Sequence, residues 1–263
     1  MKKIIISGVL GRMGQVLQTA IQNDPGLVIV AGIDAHPEKA LPGQLDFPLY
    51  QSATELATEF TETADVVIDF SHHSVVPELL NVCVEKNLPV VVATTGLDED
   101  TKGMLAVAAQ VIPVFVSANM SLGINVLLKA LQAISPALEP DFNIEIIEKH
   151  HNQKKDAPSG TALLLADGIN DSLAKPKTYV YGRHGLELSN PLDEMGIHAV
   201  RGGTIPGEHT VLYAGPDEII ELTHTALSRD IFANGALKAA LFLAEQPPGL
   251  YAMADLLDAQ ETN

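Results

Sequence analysis

Three glycines set three apart, Gly8, Gly11 and Gly14, follow directly on the apolar run Ile4-Ile5-Ile6-Ser7. This juxtaposition restricts the fold more than any other feature of the chain. A strand that stops at a glycine and re-enters as a helix needs a turn too tight for a side chain. The helix it opens, predicted over 13–23, presents unpaired N–H groups at its start, a seat for a pyrophosphate. The commoner spacing is G-x-G-x-x-G, and Leu10 stands where its second glycine would be. Arg12 adds a cation at the turn, and Gly14 lets the helix lie close to the strand. Asp34 ends the second predicted strand twenty residues past Gly14, where an acid meets the hydroxyls of an adenosine ribose. Strand, glycines, helix, strand and acid, in that order, predict a dinucleotide site.

The first half continues in the same rhythm. Strands are predicted over 4–7, 28–33, 66–70, 90–93 and 114–116, with helices over 13–23, 74–86 and 99–109. The strands are apolar throughout rather than alternating, as strands covered on both faces are. Repeated strand–helix–strand units imply right-handed crossovers and a doubly wound parallel sheet. Ala93-Thr94-Thr95-Gly96 lies at the C-terminal end of the fourth strand, where open α/β sheets bind ligands, so its hydroxyls can approach a nicotinamide or ribose. The pattern changes near residue 121. A helix over 125–135, a strand over 143–148 and a helix over 161–173 precede strands over 178–181, 198–200, 209–214 and 218–225. Gly215-Pro216-Asp217 marks a hairpin between the last two. A final helix over 231–245 stops at Pro247-Pro248.

At 263 residues, with 46% apolar and 19% charged, the chain is long and apolar enough to bury a large core. Sixteen basic against thirty-three acidic residues give a net charge of -17, which repels nucleic acid. The lone Cys83 excludes an intrachain disulfide framework and a Cys-rich zinc site. No apolar run approaches a membrane span, and the opening residues read as a buried strand rather than a signal peptide. A cytoplasmic protein is expected.

In this acidic chain Lys149, His150, His151, Lys154 and Lys155 gather within seven residues. Such a patch suits a small anionic ligand, and histidine is the side chain best placed to move protons near neutral pH. Pro158-Ser159-Gly160-Thr161 opens a helix whose N-terminal amides can hold a carboxylate. His150 and His151, adjacent in an extended segment, point to opposite faces, so the two need not share a role. No H-x-x-x-H pair accompanies them, and no metal is expected.

These segments together resemble the dihydrodipicolinate reductase (4-hydroxy-tetrahydrodipicolinate reductase) family nearly end to end. The most specific stretch is Glu148-x-His150-His151-x-x-Lys154-x-Asp156-Ala157-Pro158-Ser159-Gly160-Thr161-Ala162, which looks like the family's active-site signature. Gly8-x-x-Gly11-Arg12-Met13-Gly14, Thr94-Thr95-Gly96 and the segment from Ala118 to Asn125 match its dinucleotide, nicotinamide-side and hinge segments. The resemblance implies an α/β fold: a Rossmann-type doubly wound domain of residues 1–121 plus 230–263, and an inserted α+β domain, 122–229, carrying an open mixed sheet for substrate binding and oligomerisation. It implies reduction of 4-hydroxy-tetrahydrodipicolinate with loss of water, in lysine and diaminopimelate biosynthesis. His150 would be the general acid/base. Lys154 would be a second proton donor and a positive charge at the substrate nitrogen. His151, Ser159, Gly160 and Thr161 would hold the dicarboxylate. Gly8, Val9, Leu10, Gly11, Arg12, Met13, Asp34, Ala93, Thr94, Thr95, Ser117, Ala118, Asn119 and Met120 would line NADH or NADPH. The family is usually a homotetramer built through its second-domain sheet, and domain closure would exclude water. Ala35 follows Asp34 where NADPH-favouring members can carry a basic residue, so NADH is expected to be favoured or comparable; Ala93 stands where glycine is usual. Two other classes share parts of the pattern. An aspartate- or homoserine-type dehydrogenase would keep the first domain without the His-His-x-x-Lys and Ser-Gly-Thr segments. A non-catalytic dinucleotide sensor would have no need of His150 and Lys154.

Overall fold

The runs of isoleucine and valine do become the central strands, and their spatial order follows from how each crossover helix covers the sheet. The computed structural model describes residues 1–41, 43–139, 141–186 and 191–261. The chain begins β1 (Lys2–Ser7), α1 (Arg12–Gln22), β2 (Leu27–Ile33), β3 (Leu49–Tyr50), α2 (Ala53–Glu59), β4 (Val66–Asp69), α3 (Val76–Lys86), β5 (Val90–Val92), α4 (Glu99–Ala108) and β6 (Pro113–Val116). It continues α5 (Leu122–Leu138), β7 (Asn143–His150), α6 (Gly160–Ser172), β8 (Thr178–Tyr181), β9 (Glu194–Arg201), β10 (Gly207–Ala214) and β11 (Ile219–Ala226). It closes with α7 (Asp230–Leu243), β12 (Gly249–Tyr251) and α8 (Met253–Glu261). Two compact units result: Met1–Leu122 with Arg229 onward, and Gly123–Ser228.

The first unit holds a parallel sheet in the order β12-β6-β5-β4-β1-β2-β3. Its order reverses between β1 and β4, which makes their C-terminal ends a switch point, the usual ligand position in such sheets. Ile5, Val67, Val90, Val92 and Val114 pack on one side with Leu56, Leu79, Leu80 and Leu105 of α2, α3 and α4. Ile4, Ile6, Val66, Ile68, Val91 and Phe115 pack on the other with α1, α7 and α8. Both faces are covered, as the unbroken apolar strands require.

In the second unit the order is β11-β10-β7-β9-β8, with β7–β9 and β8–β9 parallel and β10 antiparallel to both β7 and β11. β7 alternates strictly between half-buried and buried positions. Its Ile144 and Ile146 meet Leu131 of α5 and Leu165 and Ile169 of α6. Ile147 and Lys149 lie on the opposite face, beside Val200, Thr210 and Leu212 of the neighbouring strands. This is the open mixed sheet expected from the sequence.

Four elements were not legible as such. β3 and β12 are too short to show a period, and α2 and α8 accompany them. β9 starts at Glu194, well before the predicted 198, because Gly196 interrupts its apolar pattern. α5 extends on both sides of the predicted 125–135 and passes through Pro136.

Candidate active site

Every segment of the first unit singled out in the sequence leaves the C-terminal end of a parallel strand: Gly8–Met13 after β1, Asp34 after β2, Ala93–Thr95 after β5 and Ser117–Met120 after β6. Gly8 has φ +76°, and a Cβ there would lie 2.5 Å from the Phe70 carbonyl oxygen. A Cβ on Gly14 would lie 2.3 Å from the Gly8 carbonyl oxygen, so the turn and helix approach too closely for alanine. Gly11 is the N-cap of α1 and supplies no side-chain cap, which leaves the first-turn amides for a ligand. Asp34 Oδ2 accepts the Leu10 N–H at 2.9 Å and Oδ1 accepts the His36 N–H at 3.1 Å, so the acid also braces the turn. Gly8, Gly11, Asp34, Ala35, Ser71 and His72 border a cavity of about 650 Å³. Val9 is buried behind the turn and Met13 half-buried. The exposed Arg12 is the first residue of α1, at the helix start, and borders a groove between α1 and α7 with Arg229. A tight glycine cradle, an uncapped helix start and an acid at the second strand's end fit a dinucleotide.

Thr94 is buried, and its hydroxyl donates to Asp69 Oδ2 at 2.6 Å while accepting the Ser71 N–H at 3.0 Å. That hydroxyl is committed inward, and Thr95 beside it is exposed. Ala93 is buried and its N–H donates to the Asp69 carbonyl at 3.0 Å. Ser117 Oγ donates to the Asn119 carbonyl oxygen at 2.8 Å, and Asn119 Oδ1 accepts the Ser121 N–H at 2.9 Å. These bonds fold the segment into a compact turn with Ala118 exposed and Met120 buried.

In the second unit Glu148 and His150 sit two apart on β7 and so share its buried face. Glu148 is fully buried and collects four donors. Oε1 accepts from Arg201 Nη2 at 2.7 Å and the Ser159 N–H at 2.9 Å; Oε2 accepts from Arg201 Nη1 at 2.7 Å and His150 Nδ1 at 2.6 Å. Burial pushes the Glu148 carboxyl up, but the bonds from Arg201, His150 and Ser159 outweigh it and hold it below the usual range. Burial lowers His150 against the pull of Glu148. The pair is therefore a carboxylate and a neutral imidazole whose proton sits on Nδ1, leaving the Nε2 lone pair as acceptor. Gly207 leaves room for that ring, since a Cβ there would lie 3.1 Å from Nε2.

Ser159 caps α6 by accepting the Ala162 N–H at 3.1 Å, and its Oγ lies 2.8 Å from His209 Nε2. Lys154 pairs with Asp156 at 2.9 Å. His151 is half-buried, and Gly160 and Thr161 form the first turn of α6. Lys149 is held by Glu208, and Lys155 is exposed. Sequence reasoning assigned no role to Glu148, Arg201 and His209. The i, i+2 spacing of Glu148 and His150 on a strand was a usable signal; Arg201 arrives only through the β7–β9 pairing, where it is opposite His150. Among the described residues no group of three or more His, Cys, Asp or Glu side chains is placed to hold a metal, and no helix is long and apolar enough to cross a membrane.

Burial, with the nearby His150, pushes the His209 ring down to about 4. A histidine whose folded value lies below its unfolded one contributes stability above the unfolded value, and that stability is lost as pH falls. His209 is expected to cost the fold about 3 kcal/mol between pH 6.5 and pH 4. Urea denaturation across that window should show a flatter pH dependence for His209→Asn than for the wild type.

A family model described as dihydrodipicolinate reductase, N-terminus, matches residues 2–120, and one described as its C-terminus matches 123–257. The 4-hydroxy-tetrahydrodipicolinate reductase of Caldanaerobacter subterraneus subsp. tengcongensis is 50% identical over 98% of both chains. That of Clostridium novyi is 46% identical over 99% of this chain and 100% of its own. Among solved structures, dipicolinate-bound dihydrodipicolinate reductase from Paenisporosarcina sp. TG-14 superposes with a TM-score of 0.80 over 96% of this chain and 97% of its own, at 24% identity, a likeness of fold. Matched across both halves and at near full length by such relatives, the chain belongs to the dihydrodipicolinate reductase family of nicotinamide-dinucleotide-dependent oxidoreductases.

Proposed function

We propose that this chain reduces 4-hydroxy-tetrahydrodipicolinate to tetrahydrodipicolinate, the step its relatives are named for, with His150 and Lys154 as the proton-handling groups. The observation that carries the residue assignment is the buried Glu148–His150 pair, anchored by the Ser159 N–H at the start of α6. Loss of the 4-hydroxyl as water requires a proton removed from the neighbouring ring carbon and another delivered to the departing oxygen. A neutral His150, with Nε2 as acceptor, suits the first; the Lys154 ammonium, freed from Asp156 by an anionic substrate, suits the second and faces the ring nitrogen with positive charge. The bound nicotinamide supplies the hydride. The proton held on His150 then returns to the ring, so the imidazole ends as it began, while Lys154 regains its proton from solvent, the one proton that the net reaction consumes. The α6 amides at Gly160 and Thr161, with Ser159 and His151, hold the carboxylates. The deciding assay is oxidation of NADH or NADPH that depends on the product of dihydrodipicolinate synthase; no turnover with either cofactor overturns the reading.

Gly160 gives a clean test of carboxylate binding. Nothing lies within 4 Å of a Cβ built there and its φ is not positive, so the fold accepts Gly160→Val. The substitution is expected to raise the substrate KM strongly and leave cofactor affinity intact; steady-state kinetics with each ligand varied in turn checks this.

Cofactor preference follows from the charge around the cavity beside Gly8. Asp34, Glu55 and Glu78 border it, and no Lys or Arg does among the described residues. Carboxylates accept bonds from the ribose hydroxyls of NADH and repel the 2′-phosphate of NADPH. NADH is favoured or comparable, with a preference of roughly ten-fold expected for one discriminating charge contact. Ala35→Arg should improve kcat/KM for NADPH markedly; equal kcat/KM values before and after the substitution would place the phosphate elsewhere.

The remaining expectations are a cytoplasmic enzyme and a homotetramer. The sheet face bearing Ile147, Val200 and Leu212 supports assembly through the second unit, because α5 and α6 cover only its opposite side. Sedimentation of the purified chain measures it.

A further inference from the structure

We infer that Asp69 is a positioning residue of the dinucleotide site, holding the loops that leave β4 and β5 in the arrangement the cofactor meets. Asp69 ends β4 and pairs in register with Ser7 of β1 and Val92 of β5. It is 0% exposed, under the rim where the glycine turn and the Thr94 loop emerge. Oδ2 takes the Thr94 hydroxyl at 2.6 Å, and Thr94 Oγ1 takes the Ser71 N–H at 3.0 Å. One carboxyl thus ties Thr94 to Ser71. The Phe70 carbonyl, against which Gly8 packs too closely for a Cβ, immediately precedes Ser71. Release of this clasp would loosen the support of the glycine turn and the loop carrying Thr95 together.

The same carboxyl is short of donors. The Ser7 hydroxyl faces it, yet neither Ser7 Oγ nor Asp69 Oδ1 makes a hydrogen bond of standard geometry among the described residues. An ionised carboxylate so enclosed is costly. The other titratable group facing it is the fully buried Cys83 thiol of α3, which offers no positive charge. Burial accordingly raises Asp69, against the Thr94 hydrogen bond and the nearby polar groups of Ser71 and Ser7. The Asp69 carboxyl supplies the acceptor oxygen for Thr94 in surroundings that penalise its ionised form. An amide does the same: Asn at this position keeps the acceptor and introduces no charge.

The inference rests on assigning the cavity beside Gly8 to the dinucleotide, and the test separates the two. NADH binding is measured by fluorescence titration on the full chain, with melting temperature followed from pH 4 to pH 8. If the wild type fails to bind NADH, the assignment of the cavity fails first. If it binds, Asp69→Ala is expected to raise the NADH Kd about ten-fold, the scale of one lost buried hydrogen bond. Asp69→Asn should stay within about three-fold, the range of a conservative replacement. Thr94→Val removes the same bond without touching the acid and should match Asp69→Ala, which covers the case of an alanine variant that does not fold. Because the folded value is raised, the wild type loses stability as pH climbs above the unfolded value near 4, whereas Asp69→Asn does not. Their difference in melting temperature should be smallest at pH 4 and grow with pH. Unchanged NADH affinity in Asp69→Ala and Thr94→Val overturns the proposal, as does an Asn variant as impaired as the Ala variant.

Discussion

His150→Gln and Lys154→Met are each expected to lower kcat by about 100- to 10,000-fold, the usual cost of removing a general acid or base. Lys154 pairs with the exposed Asp156, so Lys154→Met should change circular dichroism and melting little. His150 is buried and donates to Glu148, and Gln keeps an N–H donor there, so His150→Gln should keep a native circular dichroism spectrum with a modestly lower melting temperature. His150 is lowered by burial and, in the proposed role, works first as a base, so its useful form lies above its folded value. Activity should fall on the acid side of the ordinary histidine range and hold through neutrality. A profile that instead declines as pH rises through that range would make protonated His150 the working form. Lys155→Met is the internal control: Lys155 is exposed, and kcat should be unaffected. Full activity in both His150→Gln and Lys154→Met removes the site assignment.

Arg201→Met should destabilise the fold by about 3–5 kcal/mol, because it leaves a buried anion without its guanidinium. Glu148 is 0% exposed, and two of its four bonds come from Arg201. The loss should appear in urea denaturation as a lower midpoint with an unchanged slope. Adding Glu148→Gln to Arg201→Met removes the stranded charge and should recover part of the loss, though not the activity, since an amide no longer fixes the proton on His150 Nδ1. If the double variant is less stable than Arg201→Met, the bonds to Ser159 and His150 matter more than the charge.

These two cases show where the sequence was readable. Local rules found β1, the glycine turn, α1, β2 and Asp34, because each is written in adjacent residues: an apolar run, a spacing, a helix start, an acid at a strand end. The same holds for the Lys149–Lys155 cluster and the Ser159 cap. Glu148 lay within reach, two residues from His150 on a strand, yet a carboxylate in a charged stretch gives no sign of its burial until the partner strands are placed. Arg201 and His209 come to β7 by pairings with β9 and β10 from fifty residues away. Asp69 lay inside the predicted strand 66–70 and drew no reading of its own; only the register with Ser7 and Val92 shows how little polar company it keeps. The hydroxyl of Thr94 was visible and its direction was not, because direction depends on a neighbour across the sheet.

The parallel sheet of the first unit is completed by residues that follow the second unit in the chain. α7 supplies Ala233, Ala236, Ala239 and Ala240 to the layer that covers Ile4, Ile6, Val66, Ile68, Val91 and Phe115, and β12 adds the outer strand beside β6. On a ribosome delivering the chain at about 5–20 residues per second, those isoleucines and valines wait for more than a hundred intervening residues before their cover arrives. The nascent chain therefore carries a partly covered apolar sheet face, bounded by the unpaired edge of β6, while the whole second unit is being made. A nonsense codon shortly after residue 228 would leave that face with α1 but without α7 and α8, so chaperone dependence and loss from the soluble fraction are the phenotype expected of such a truncation.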